Sequence, residues 1–101
     1  MAQDVRRLGG GMRYPVEHRA DRLLREMGRQ AEGKAEPIVE PTTAAERLNM
    51  DPESPVTQKA VSRLVESGYL ERTQHPALGT TMGAYRLTEE GLAKAEELRG
   101  A

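Results

Sequence analysis

Thr43-Ala44-Ala45-Glu46-Arg47-Leu48 is followed, after a short break, by Ser54-Pro55-Val56-Thr57-Gln58-Lys59-Ala60-Val61-Ser62-Arg63-Leu64-Val65-Glu66-Ser67-Gly68. In the first segment, Thr43 with Glu46 three residues on has the form of a capping box. It predicts a short helix from Ala44 to about Asn49, with Ala45 and Leu48 turned inward. Met50-Asp51-Pro52-Glu53 reads as a turn. Ser54 then supplies an N-cap oxygen and Pro55 a first helical residue that needs no amide hydrogen, so a second helix is predicted from there to Ser67. Within it Ala60, Val61, Leu64 and Val65 share one side, and Thr57 tilts toward that side. Gly68 stands where a left-handed residue ends a helix.

Upstream, Val16, Ala20, Leu23, Leu24, Met27 and Ala31 recur at helical spacing, with Pro15 suited to the first turn and Gly33 to the exit. Between that helix and the quoted pair lies Ile38-Val39, a β-branched couple fenced by Pro37 and Pro41 and long enough only for one edge strand. Downstream, Tyr69 to Thr73 alternates as a strand does. Ala84 to Leu87 alternates again beyond a glycine-bearing stretch, so the two form a hairpin with a long tip. Thr88-Glu89-Glu90 announces a last helix, with Leu92, Ala95 and Leu98 as its inward stripe and Gly100 at its close. The predicted class is mainly α with a small β-hairpin: helix, short strand, short helix, helix, two strands, helix.

That order resembles the winged helix-turn-helix. The resemblance rests on Thr43 to Leu48 as the first helix of the motif, and on Val61 to Gly68 running through Tyr69-Leu70-Glu71-Arg72 into the wing. Leu87-Thr88-Glu89-Glu90-Gly91 completes it. Together these are similar to the bacterial MarR-like and PadR-like transcriptional regulators, in which the recognition helix ends in Gly, an apolar pair and a charged pair, and the wing ends in Leu-Thr-x-x-Gly. The match covers roughly Pro15 to Leu98. It implies a DNA-binding repressor or activator that acts as a homodimer, its recognition helix about residues 54–67. Three features depart from that pattern: the turn between Leu48 and Ser54 is longer than in typical members, Gln74 to Ala84 contains no Lys, Arg or Asp for the wing tip, and the terminal helices are short for a MarR-type dimer.

Composition narrows the other possibilities. At 101 residues, with 37% hydrophobic content and no Phe or Trp, the chain has room for one small domain with a thin core, which makes a partner subunit useful. Residues 14–101 are read as that domain, and residues 1–13 as a flexible basic arm containing Arg6, Arg7, Arg13 and three consecutive glycines. Absence of Cys excludes disulfides and thiolate metal sites, and His18 and His75 lie far apart, so no metal or other cofactor is expected. No apolar stretch approaches a membrane span or a signal-peptide core, so a cytoplasmic protein without membrane association is the expectation. No Ser or Cys is paired with a base, and no phosphate-binding loop or carboxylate cluster stands out. The chain is therefore read as a non-enzyme.

A net charge of −1 would argue against nucleic acid, but its distribution is uneven. Residues 1–34 contain 8 basic and 5 acidic side chains, whereas residues 35–70 contain 3 and 6. On a wheel of about 3.6 residues per turn, the face opposite Val61 and Leu64 carries Pro55, Val56, Lys59, Ser62, Arg63 and Glu66, with Gln58 at its flank. Gln58 suits adenine, Lys59 and Arg63 suit guanine or phosphate, and Val56 suits a thymine methyl. Lys59 and Arg63 are like charges one turn apart, which an isolated helix disfavours; double-stranded DNA would offset the repulsion. Thr43 could offer a hydroxyl to phosphate and Arg72 could touch the backbone from the wing. The competing reading is a winged-helix module whose acidic middle third docks on a protein. Any small-molecule effector is unspecified by these residues.

Overall fold

The computed structural model describes the backbone of residues 2–73 and 83–100, and the side chains of 16–73 and 83–100. An apolar stripe along α1 (Ala2–Ala31) is the spine of the fold: Ala20, Leu23, Leu24, Met27 and Ala31 are all buried, and Val16 is half-buried at its upper end. Against it pack α2 (Pro41–Arg47), α3 (Pro55–Glu66) and α4 (Glu89–Gly100), the α3 and α4 contacts being the most extensive. The remaining elements, β1 (Ile38–Val39), β2 (Leu70–Arg72) and β3 (Tyr85–Leu87), form an antiparallel sheet in the order β1-β3-β2. The chain is thus mainly helical with a small three-stranded sheet, in the order of elements expected, with β1 at an edge.

Sheet register places Leu70 opposite Leu87 and Arg72 opposite Tyr85 across β2 and β3, and Val39 opposite Tyr85 across β1 and β3. Val39, Leu70, Tyr85 and Leu87 are buried beneath the sheet and join Ala44, Ala45, Ala60, Val61, Leu64 and Ala95 in one core. Small side chains dominate that inventory, so helices can approach closely. A Cβ on Gly28 of α1 would stand 2.8 Å from the Ala95 Cβ of α4, which leaves no room for a larger residue at this crossing. Among the described residues, every fully buried side-chain nitrogen or oxygen has a hydrogen-bond partner. No described helix is long and apolar enough to cross a membrane.

Three local expectations are corrected. First, α1 begins at Ala2 instead of Pro15, so the backbone of the stretch read as an arm is helical over 2–13. Three consecutive glycines together cost a helix about 3 kcal/mol, so local propensity does not account for this extension. Second, Thr43 does not cap α2. The helix starts at Pro41 with Glu40 as its N-cap, and the Thr43 hydroxyl donates instead to the Glu40 carboxylate at 3.0 Å. Pro41 wins because its missing amide hydrogen and preset φ suit the first helical position. Third, Leu92 is 36% exposed, although Ala95 is buried and Leu98 half-buried as expected. It lies in the first turn of α4, whose inward contact is made by the adjacent Gly91.

Helices α2 and α3 end in the same way. After α3, Gly68 has φ +84, its N–H bonds to the Val65 carbonyl at 3.0 Å, and the Tyr69 N–H bonds to the Leu64 carbonyl at 3.0 Å. After α2, Asn49 takes the left-handed role at φ 60, with Asn49 N–H on Glu46 at 3.1 Å and Met50 N–H on Ala45 at 2.8 Å. Each is a Schellman closure, and Met50 is buried behind the second as its apolar contact.

The entry to α2 is held from α1. The Gln30 side-chain amide accepts from the Glu40 N–H at 2.9 Å and donates to the Glu40 carbonyl at 3.2 Å, so one side chain satisfies both backbone groups at the end of β1. Gln30→Ala is expected to lower unfolding stability by about 1–2 kcal/mol, since it leaves a half-buried amide without its partner. Urea titration measures this, and a loss under about 0.3 kcal/mol would show that water replaces the side chain at no cost.

Candidate nucleic-acid interface

The exposed face of α3 follows from its buried one. Thr57, Ala60, Val61 and Leu64 are buried against α1 and the sheet, which turns the side chains half a revolution away toward solvent. Pro55, Gln58, Lys59, Ser62, Arg63 and Glu66 are all exposed, and Val56 is half-buried beside them. The helix is fixed at its start as expected: the Ser54 hydroxyl accepts from the Val56 N–H at 3.3 Å, with Pro55 in the first position. Six of the eight residues singled out for DNA contact therefore share one helix face: Pro55, Val56, Gln58, Lys59, Ser62 and Arg63.

Their electrostatic settings differ. Lys59 has no carboxylate partner among the described residues. Arg63 is bridged to Glu17 of α1 at 3.3 Å, with both side chains about half exposed. A pair so open to water contributes little to stability, of order 0–1 kcal/mol, and a phosphate can displace it. Nothing in the local sequence of α3 announces Glu17, which is 46 positions away. At the N-terminal end of α3 stand Asp51 and Glu53, both exposed, the Asp51 carboxylate accepting from the Glu53 N–H at 3.0 Å. They bring negative charge to the end of the helix that would otherwise attract an anion.

The other two residues are placed elsewhere. Thr43 is half-buried on α2, tied to Glu40, and lines a cavity between α2, β1 and the end of α1. Arg72 lies on β2 with its guanidinium 5.7 Å from the centre of the Tyr85 ring, donating to the Tyr85 hydroxyl at 3.4 Å. It is exposed, but part of its surface is spent on packing over a buried aromatic. Arg86, in the middle strand, is held by Glu36 at 3.4 Å and Glu71 at 3.7 Å and serves the sheet. The expected wing tip, including His75, Thr80 and Thr81, lies outside the described residues over 74–82.

The Leu87-Thr88-x-x-Gly91 stretch has a structural explanation. The Thr88 hydroxyl donates to the Gly68 carbonyl at 2.6 Å and accepts from the Gly91 N–H at 2.9 Å, while the Thr88 N–H bonds to the Tyr69 carbonyl at 3.1 Å. One residue thus caps α4 and ties it to the chain leaving α3. The chain matches no protein-family model, and neither the curated proteins nor the solved structures compared with it gave a match.

Proposed function

We propose that the chain is a winged helix-turn-helix DNA-binding transcriptional regulator, similar to the MarR-like and PadR-like proteins, with α3 seated in the major groove. The observation that carries this reading is the outward face of α3, where Lys59, Arg63, Gln58 and Ser62 gather over a rigid apolar anchor. A groove of about 12 Å admits one helix, and those side chains offer charge for phosphate and hydrogen-bonding groups for base edges. The order of elements and the strand order support the same reading. Two copies would place two such helices about one turn of DNA apart, and the thin, alanine-rich core favours that homodimer. The exposed faces of α1 and α4, Leu92 among them, are the surfaces for the subunit contact. Sedimentation at micromolar concentration tests the dimer, and a stable monomer there defeats it.

Selection of bound duplexes from a random pool, followed by titration at several salt concentrations, tests the DNA reading. A palindromic site and an affinity that falls steeply with salt are expected. No binding even at low salt would leave the second reading, a protein-docking module, which Asp51 and Glu53 at the head of α3 favour.

On the DNA-binding reading, Glu17 is a brake on Arg63. Glu17→Gln is expected to raise duplex affinity roughly two- to fivefold, the equivalent of up to about 1 kcal/mol for releasing one exposed ion pair and removing one negative charge. Fluorescence anisotropy reads the change, and weaker binding by the variant would mean that Glu17 orients Arg63 instead of competing for it.

A further inference from the structure

Away from the exposed face of α3, the end of α1, β1 and α2 enclose an open cavity of about 540 Å³. Its walls bring together Arg29 from α1, Lys34 from the following turn and Arg47 from α2, with Ile38 as the apolar wall. Neither Arg29 nor Lys34 has a carboxylate partner among the described residues; Lys34 donates only to the Ile38 carbonyl, at 3.2 Å. Arg47 bridges to Glu26 at 3.5 Å. Among the described residues the one carboxylate lining the cavity, Glu40, receives the Thr43 hydroxyl, and its backbone is clamped on both sides by Gln30.

We propose that this cavity is a binding site for a phosphate-bearing ligand. Three cations from separate elements line one hollow of a chain whose net charge is −1, and they outnumber the two carboxylates beside them, Glu40 in the lining and Glu26 on Arg47. Arg29 and Lys34 are exposed and stand without a carboxylate of their own among the described residues, so an anion entering the hollow would meet two uncommitted cations. Arginine presents paired N–H groups that match a phosphate, and the Lys34 ammonium keeps two hydrogens free of the Ile38 carbonyl. The volume is that of a small-molecule site and exceeds what an inorganic phosphate needs, so an organic phosphate fits, its carbon skeleton against Ile38. The site stands independently of the DNA-binding reading, because none of its cations lies on α3.

The same phosphate chemistry could be offered by a free metabolite or by the backbone of a duplex, and the test separates them. Inorganic pyrophosphate is titrated into the full chain at constant ionic strength while Tm is followed. A saturable rise in Tm is expected, with the dissociation constant raised about tenfold or more in Arg29→Gln/Lys34→Gln. This pair is chosen because it spares the Arg47 bridge to Glu26, whose side chain is only 11% exposed, so the variant should fold as the parent does. Arg29→Gln alone, which breaks no described bond, gives the same readout if the double variant is unstable. No rise in the parent, or a rise unchanged in the variants, overturns the site. A rise abolished by Lys59→Ala/Arg63→Ala but kept in Arg29→Gln/Lys34→Gln also overturns it, by moving the anion to α3. With the site established, unchanged duplex affinity in Arg29→Gln/Lys34→Gln assigns a free ligand. A weaker affinity with a shallower salt dependence assigns the duplex backbone.

Discussion

Gly91→Ala is expected to destabilise the protein by about 3 kcal/mol or more, a large share of the roughly 5–15 kcal/mol that holds an ordinary small domain together. A Cβ at this position would stand 2.1 Å from the Tyr69 carbonyl oxygen and 3.2 Å from a Leu87 methyl. The obstructing atom is backbone, so it cannot swing aside as the end of a side chain would. Relief requires α4 to retreat from the α3–β2 junction, which also breaks the Thr88 bonds to Gly68 and Gly91 and opens the core beside Ala95. Gly100→Ala is the matched control, since nothing lies within 4 Å of a Cβ there and alanine favours a helix. Urea unfolding of the two variants measures the difference. A Gly91→Ala protein within about 1 kcal/mol of the parent would mean that α4 does not pack on Tyr69 as described.

The second large effect falls on binding and leaves the fold alone. Replacing Lys59 and Arg63 together by Ala is expected to weaken duplex binding by about a hundredfold or more, each lost base or phosphate contact being worth roughly 1–3 kcal/mol. The slope of log affinity against log salt should fall by about one to two, because two fewer counterions are released. Stability should stay within about 0.5 kcal/mol of the parent: the Arg63–Glu17 pair is open to water, and the change also removes a like-charge contact one helical turn apart. Circular dichroism and urea titration establish the fold, and anisotropy measures binding. Unchanged affinity in a folded variant refutes the groove assignment.

The two predictions separate the roles that a single helix-to-hairpin connection combines. Gly68, Tyr69, Thr88 and Gly91 join the end of α3 to the start of α4, whereas Lys59 and Arg63 belong to the face proposed to meet DNA. On the proposed DNA-binding reading, a substitution in the first group should lower stability and DNA affinity together, while one in the second should lower affinity alone.

Much of this was readable along the chain because it depends on neighbours in sequence. Ser54 and Pro55 start α3, Gly68 ends it, and the three- and four-residue spacing of Ala60, Val61 and Leu64 decides which of its side chains face water. The stripe of α1 and the β-branched pair at Ile38 and Val39 are of the same kind. Where two local signals competed, pattern alone chose wrongly: Thr43 with Glu46 has the form of a cap, but Pro41 took the start of α2. Leu92 has the spacing of a core residue, yet Gly91 is the one pressed against Tyr69.

Tertiary structure alone decided what depends on residues far apart in the chain. No periodicity brings Glu17 to Arg63, sets Gln30 on the backbone of Glu40, or gathers Arg29, Lys34 and Arg47 around one hollow. Helical and strand patterns arise from backbone geometry repeated over a few residues. Charge pairing and cavities arise from the way finished elements meet, and no local pattern encodes where two such elements will touch.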